Sequence, residues 1–210
     1  MPRPRSLTHD RLASAALAVI DREGVAGLSM RAVAQELGTS TMALYRYVDD
    51  REQLEGLVVE LVLGAVDSTP PPANAPWPDR IEAMVRRLRD AVSAHPAIVP
   101  LTVTHRHRSR AGLRWSEAVL AILAEAGFEG ERRVIALRGL LGYVIGAIQL
   151  EHLGPLSGEG TVALSALPPG EFPYMAETAR HARGVSPDEE FLGGLAVLLR
   201  GLDPADEKEG

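Results

Sequence analysis

The fold is decided by residues 29–54, which read SMRAVAQELGTSTMALYRYVDDREQL. Ser29 and Ser40 each stand where the N-cap of a helix is favoured, and Gly38 lies in the turn between them. Apolar residues recur at helical spacing on the inner face of both segments: Val33, Ala34, Leu37, Leu44 and Val48. Two short helices joined by a glycine-containing turn are the layout of a DNA-binding helix-turn-helix.

The composition of the 210-residue chain is that of a globular protein that buries a core, with 46% hydrophobic residues. No apolar run reaches the roughly 18 uncharged residues of a transmembrane helix, and the polar N-terminus lacks the apolar centre of a secretory signal. The chain has no cysteine, which excludes disulfides and thiolate zinc sites. We therefore expect a cytoplasmic protein without a membrane partner.

The net charge of −6 is unusual for a protein that binds nucleic acid. Residues 1–52 hold seven arginines and seven acidic residues, so this segment is neutral and the rest of the chain carries the negative charge. Arg3, Arg5 and Arg11 form a local basic cluster near the start. Electrostatics alone thus support a DNA partner only weakly, although a dimer would double the contacts to phosphates.

Helical periodicity extends along the chain and no strand-rich region is found, so the predicted class is all-α. Residues 1–52 form a three-helix domain with the helix-turn-helix, preceded by a basic arm and followed by a connecting helix to about residue 67. Residues 69–78, rich in proline, are the predicted linker. Residues 79–203 form a second helical domain, and residues 204–210 an acidic, frayed tail.

The second domain is built around a long helix over residues 131–153, which is apolar on nearly all its sides and is therefore expected to be buried. Residues 154–173, rich in glycine and proline, are predicted to be a loop. Ser186-Pro187-Asp188-Glu189 is a capping box and begins a final helix that ends near residue 202.

Three motifs give the first 65 or so residues a resemblance to the N-terminal domain of the TetR family of transcriptional repressors. They are Leu37-Gly38-x-Ser40, Leu44-Tyr45-x-Tyr47-Val48 and Arg51-Glu52-x-Leu54. Ala124-Glu125-Ala126-Gly127-Phe128, followed by the long apolar helix, is similar to the C-terminal domain of the branch that contains the tetracycline repressor. The resemblance implies a homodimer that binds a palindromic operator and is released by a small-molecule inducer bound in the C-terminal domain.

The resemblance also implies which residues contact DNA. Arg31 is expected to contact a base, since a guanidinium can bond the O6 and N7 of guanine. Thr41, Met42 and Ala43 occupy the exposed first turn of the reading helix and can contact base edges. The predicted phosphate contacts are Tyr45, Arg46, Tyr47 and Arg51. Met42 and Ala43 depart from the residues of the tetracycline repressor, so its operator sequence does not carry over.

The effector pocket is expected between the central helices, lined by Leu88, His105, Trp115, Val119, Leu141 and Val144. The competing interpretation is that the apolar residues among these are ordinary core residues that contact no ligand; both interpretations fit the sequence. His105 belongs to the run His105-Arg106-His107-Arg108-Ser109-Arg110, which reads either as a solvated basic loop or as the pocket edge, where a His or Arg meets an anionic group. No carboxylate or cysteine within the run completes a metal site, so no metal or other cofactor is predicted.

The two most apolar helices of the second domain are predicted to form the dimer interface as a four-helix bundle, because a monomer would expose a large apolar patch. The predicted interface residues are Leu137, Leu140, Ile148, Leu195 and Leu198. Three other functions stay open: a TetR-like activator, an all-α enzyme, and a helix-turn-helix protein that contacts only protein. Against the enzyme, the sequence has no nucleophile elbow, phosphate loop or paired His and carboxylate motif.

Overall fold

The computed structural model describes residues 7–202, and within that range it contains eleven α-helices, one 3-10 turn at Pro96–Ile98 and no β-strand. The helices are α1 His9–Gly27, α2 Met30–Glu36, α3 Thr41–Leu44, α4 Arg51–Gly64, α5 Trp77–Ser93, α6 Val99–His105, α7 Arg110–Glu125, α8 Gly130–Leu153, α9 Glu159–Ser165, α10 Pro173–Ala182 and α11 Pro187–Gly201. The all-α class is confirmed. The predicted acidic tail and all but the last residue of the basic arm lie outside the described residues.

Local sequence signals set the ends of the helices in the N-terminal head, which comprises α1–α3. The amide of Ala32 donates a 3.1 Å hydrogen bond to Ser29 Oγ, so Ser29 caps α2 as predicted. Gly24 and Gly38 have φ angles of 72° and 62°, which favour glycine, and each interrupts regular helix. Ser40 is the N-cap residue of α3 as predicted, but its side chain accepts no capping hydrogen bond.

Several helix boundaries differ from the sequence expectation. The reading helix α3 is only four residues long and continues as a turn over residues 45–47. The predicted loop over 154–173 contains α9, and α6 and α10 were not expected. Both α6 and α10 have a proline in their first turn. Because proline also ends helices, these residues indicated the end of a helix and not the start of one. The helix α9 buries only Thr161, so it has no apolar stripe that periodicity could detect.

The helix α4 joins the head to the C-terminal body, which comprises α5–α11. It packs against α1 of the head and against α5, α6 and α7 of the body. Its inner face, formed by Leu54, Val58, Val59 and Val62, is buried. One continuous apolar core therefore runs through both parts, and a displacement of α4 cannot be confined to either one.

The helices α8 and α11 are held together by a polar cluster at one end of the body. Tyr143 Oη donates to the carbonyl of Phe191 at 2.5 Å. Arg89 lies over the Phe191 ring and donates to Asp188 at 2.6 Å and to Glu151 at 3.1 Å. The guanidinium holds the pKa of Asp188 below its usual range. Because Arg89 belongs to α5, this cluster fixes three helices at one point.

Two adjacent glycines of α11 provide a direct test of this packing. A Cβ at Gly194 would collide with the Tyr143 ring, whereas a Cβ at Gly193 would meet no atom within 4 Å. Gly194→Ala is expected to lower the free energy of unfolding by about 1–3 kcal/mol. Gly193→Ala is expected to raise it by up to about 1 kcal/mol, because alanine favours helix. Urea titration of the two variants measures both changes, and equal effects would contradict the assigned contact.

Candidate DNA-reading surface and effector cavity

The head presents the predicted DNA-contacting residues on one side of α2 and α3. Arg31 and Arg46 are exposed, and neither has a carboxylate partner among the described residues. Met42 is 73% exposed, which is unusual for so apolar a side chain. Thr41 and Ala43 are half-buried beside it, while Leu44 below them is completely buried and fixes the turn to the core.

Tyrosines flank this surface. Tyr45 is 48% exposed, so its hydroxyl is free to reach a phosphate. Tyr47 is half-buried, and its ring meets the His9 ring edge-to-face at 6.1 Å between centroids. The Nε2 atom of His9 also lies 3.1 Å from the carbonyl oxygen of Tyr47. The beginning of α1 therefore supports the chain directly after the reading helix.

Arg51 is placed differently from the predicted phosphate contact. Its Nε donates to Glu55 Oε1 at 2.7 Å, and its Nη2 donates to the carbonyl of Val25 at 2.9 Å. The guanidinium thus ties the start of α4 to the end of α1. This arrangement favours a role for Arg51 in orienting the head on α4 over a direct bond to DNA.

An apolar cavity lies within the body, between α5, α6, α7, α8 and the end of α4. It encloses about 590 Å³ including its opening to solvent, but the space open to a water-sized molecule is only about 50 Å³. Leu88, Trp115, Leu141 and Val144 line it as predicted. Trp115 is held in the wall because its Nε1 donates to the carbonyl of Met84 at 3.0 Å.

Further residues that were not predicted also line the cavity, among them Leu63, Val66, Val92, Val99, Thr102 and Arg106. Thr102 and Arg106 follow Val99 at helical spacing, a signal that would have been usable had α6 been expected. Val119, by contrast, is buried in the core and does not line the cavity, so its predicted place there is wrong.

His105 is also absent from the cavity wall, contrary to the prediction. It is buried, and its Nε2 lies 3.0 Å from Glu55 Oε2 on α4. Neither sequence interpretation of residues 105–110 describes the whole run, because Arg106 reaches the pocket edge while its neighbours bind α4.

Three acidic side chains of α4 meet residues 105–109 along a line that we call the α4 seam. Glu55 pairs with His105, and Glu52 pairs with Arg108. Glu60 accepts a 2.6 Å hydrogen bond from Ser109 Oγ and a 3.2 Å bond from the amide of Ala111. Since Arg51 binds the same Glu55 carboxylate, the seam connects the edge of the cavity with the base of the head.

Three of the five residues predicted for the dimer interface do not lie on the surface of the protomer. Leu140, Ile148 and Leu195 are buried inside one protomer and have no surface left for a partner. Leu137 and Leu198 are only half-buried. The apolar residues that α8 and α11 expose were not predicted: Val134, Ile135, Leu150, Leu153 and Val197.

By length and composition, α8 is the one helix within the described range that could cross a membrane, with a mean hydropathy of 1.5 and 22% of its apolar window buried. This is a weak argument, because a helix at the centre of a protein passes the same test. Arg138 and Glu151 interrupt the apolar run, and Ala136, Leu140 and Val144 pack into the protein core. The exposed part of α8 fits a helix that packs against a second protomer.

Comparison with known proteins agrees with this architecture. A family model for bacterial regulatory proteins of the tetR family matches residues 12–54, and a model for a tetracyclin repressor-like C-terminal domain matches residues 69–205. The HTH-type transcriptional repressor DrrR1 of Streptomyces coeruleorubidus is 31% identical over 217 residues, which cover 96% of this chain and 79% of that protein. The tetracycline repressor protein class D of Escherichia coli is 27% identical over 94% of this chain and 89% of its own length.

Solved structures show the same relationship. The apo structure of ActR from Streptomyces coelicolor superposes with a TM-score of 0.77 at 29% identity, over 93% of this chain and 94% of that one. ActR in complex with actinorhodin gives a TM-score of 0.76 at 28% identity, over 94% and 96% of the two chains. The chain belongs to the tetR family of bacterial regulatory proteins, and it is a dimeric, ligand-responsive DNA-binding regulator and not an enzyme.

Proposed function

We propose that this protein represses transcription in the cytoplasm by binding a palindromic operator as a homodimer, and that a small apolar effector releases it. The observation that carries the proposal is the α4 seam, which links the wall of the cavity to the head that reads DNA. Repression is supported by the similarity to DrrR1, which is named a transcriptional repressor.

In the proposed complex, the first turn of α3 enters the major groove. Arg31 and Thr41 donate hydrogen bonds to base edges, and Met42 and Ala43 make apolar contacts to thymine methyl groups. Tyr45, Arg46 and Tyr47 contact phosphates and set the orientation of the head. The acids Glu23 and Glu36 both pair with Arg22, at 3.0 and 3.1 Å, which reduces their repulsion of the DNA backbone.

The proposed dimer buries the exposed apolar faces of α8 and α11 in a four-helix bundle. Ile135 and Val197 are 65% and 61% exposed in one protomer, and burying such side chains is the main driving force of stable association. The interface thereby covers most of the surface that makes α8 unusually apolar. It also fixes the distance between the two heads, and this distance selects the spacing of the operator half-sites.

The effector is proposed to bind in the apolar cavity. ActR, a relative of similar fold, is solved in complex with actinorhodin, which supports binding of a small-molecule ligand by this chain as well. Because the space open to a water-sized molecule is only about 50 Å³, an effector must push the wall apart. Displacement of α6 would pull on Glu55 through His105 and so tilt the head.

The proposed contacts predict different losses for two arginines of the head. Arg31→Ala is expected to weaken operator binding by about 1–3 kcal/mol while leaving binding to random DNA unchanged, because a base contact is lost. Arg46→Ala is expected to weaken both alike and to reduce the slope of log affinity against log salt by about one, because a phosphate contact is lost.

The measurement begins with selection of genomic fragments by the wild-type protein, followed by footprinting to define the operator. Fluorescence anisotropy at several salt concentrations then compares the two variants on that operator and on scrambled DNA. In vitro transcription from the selected promoter must decrease when the protein is added; an increase would identify an activator. Recovery of fragments without a shared palindrome would contradict the proposed function.

A further inference from the structure

We infer that the effector is an apolar organic acid and that Arg106 binds its carboxylate. This inference rests on the proposed function of the cavity and adds the chemical class of its ligand. It starts from the composition of the wall, in which Arg106 is the one charged residue among those that line the cavity. Thr102 and Ser116 add hydroxyl groups, and nearly all the remaining wall is aliphatic or aromatic.

Arg106 lies on the cavity side of its segment. Val99 and Thr102 line the cavity from α6, and Arg106 follows Thr102 by four residues and Val99 by seven, at the C-cap of the same helix. Positions spaced in this way share one helix face. The residue is half-buried at the edge of this apolar space.

The guanidinium of Arg106 has no carboxylate partner among the described residues. Its Nη1 donates to the carbonyl of Val103 at 2.7 Å, which is a bond within its own turn and leaves most of its five donors available. The surrounding acids are engaged elsewhere: Glu52 with Arg108, Glu55 with His105 and Arg51, Glu60 with Ser109, and Asp67 with Arg87 at 3.3 Å.

An unpaired cation beside an apolar cavity favours a ligand that has both an anionic group and an apolar body. The fork of a guanidinium matches the two oxygens of a carboxylate, and the bond is stronger where water is excluded. The hydrocarbon part of such an acid would fill the space beside Trp115 and Leu141. A neutral ligand would remove Arg106 from water without compensation, so the cavity discriminates against it.

The position of Arg106 also explains how binding of an acid would be transmitted. His105, the preceding residue, is bonded to Glu55 of the α4 seam, and Arg108 of the following turn is bonded to Glu52. A carboxylate that draws Arg106 away from the carbonyl of Val103 therefore moves a segment whose other side chains hold α4.

Calorimetric titration of the full-length dimer tests the inference with matched probes. The probes are 2-naphthoate and anthracene-2-carboxylate, each compared with its own carboxamide, which has nearly the same shape but no charge. We expect the carboxylates to bind at least about 10-fold more tightly than the carboxamides, the fold-change of a typical hydrogen bond to a charged group. Arg106→Gln should remove that difference by weakening only the carboxylates.

Arg110→Gln is the matched control. It removes the same charge four residues after Arg106, and the side chain of Arg110 is exposed and does not line the cavity. It should leave both affinities unchanged, and Arg106→Lys should retain part of the preference for acids. Circular dichroism of each variant checks that it is folded.

The inference is overturned if no carboxylate binds, if carboxamides bind equally well, or if Arg106→Gln weakens both probe classes alike. Operator binding is measured on the same preparations. A dimer that binds its operator but does not prefer carboxylates contradicts this inference alone, whereas a dimer that binds no operator contradicts the proposed function.

Discussion

The double variant Ile135→Glu/Val197→Glu is expected to be monomeric and to bind the operator at least about 100-fold more weakly than the wild-type protein. Both side chains are more than half exposed in one protomer, so a carboxylate at either position costs the folded monomer little. In the proposed dimer the same positions are covered. Each protomer would then bring two carboxylates into the interface, where they are buried near those of the partner. Loss of the second head removes the gain in affinity of a bivalent contact, typically 100-fold or more.

Analytical ultracentrifugation measures the association state of this variant, and anisotropy with labelled operator measures its affinity. The matched control is Leu113→Glu, which introduces the same charge at a 53% exposed leucine of α7, a helix that does not belong to the proposed interface. The control should remain a dimer with unchanged operator affinity. If the double variant stayed dimeric at micromolar concentration, the interface would have to lie on another surface.

Glu55→Ala is expected to have the largest effect on stability of any change in the α4 seam. Its side chain is 14% exposed, and its two oxygens bond Arg51 and His105. Removing it leaves a buried imidazole without its partner and frees the start of α4. Removal of one partner from a buried hydrogen-bonded pair typically costs about 1–3 kcal/mol of the free energy of unfolding.

Urea unfolding at neutral pH compares this variant with Glu52→Ala, which breaks an exposed pair on the same helix one turn earlier. The exposed pair should contribute less than about 1 kcal/mol. Operator affinity should fall more for Glu55→Ala than for Glu52→Ala, because Arg51 then loses the carboxylate that orients its bond to the carbonyl of Val25 in α1. A loss of similar size in both variants would mean that the seam is not the connection between body and head.

The reading head could be predicted from sequence because its signals are local. The cap at Ser29, the turn at Gly38 and the spacing of Val33, Leu37 and Leu44 lie within a few residues of what they determine. The positions of Arg31 and Met42 on the exposed side follow from the same spacing. Their contacts with DNA remain a prediction.

The seam could not be predicted, because its partners are far apart in the chain. Fifty residues separate His105 from Glu55, and 26 separate Arg51 from Val25. No periodicity connects such positions, so the basic run was interpreted by its composition alone. The bonds of Arg51 could not be predicted for the same reason, since its guanidinium donates to a backbone carbonyl of α1.

The interface residues were misplaced for a different reason. A helix that is apolar on nearly every side carries no amphipathic signal to distinguish the face toward its own protomer from the face toward a partner. Leu140 and Ile135 are equally plausible from the sequence, yet one is completely buried and the other mostly exposed. Only the placement of α5, α7 and α11 around α8 decides between them.

The α4 seam also has a consequence for how such regulators diversify by recombination. The residues that read DNA all precede α4, whereas both halves of the seam lie in or after it. An exchange of heads with a crossover at Asp49 would keep Glu52, Glu55 and Glu60 with the body that evolved beside them. A crossover in the proline-rich stretch after α4 would separate these acids from their basic partners.

A newly acquired head would then have to match the packing of α1, the bond from Arg51 to the carbonyl of Val25, and the bond between Asp21 Oδ2 and His95 Nδ1, which are 2.8 Å apart. Few positions thus need to change together when such a protein gains a new operator while keeping its effector. The fold permits the sensory and the reading specificities to be inherited separately, with the connecting helix passed on as part of the sensor.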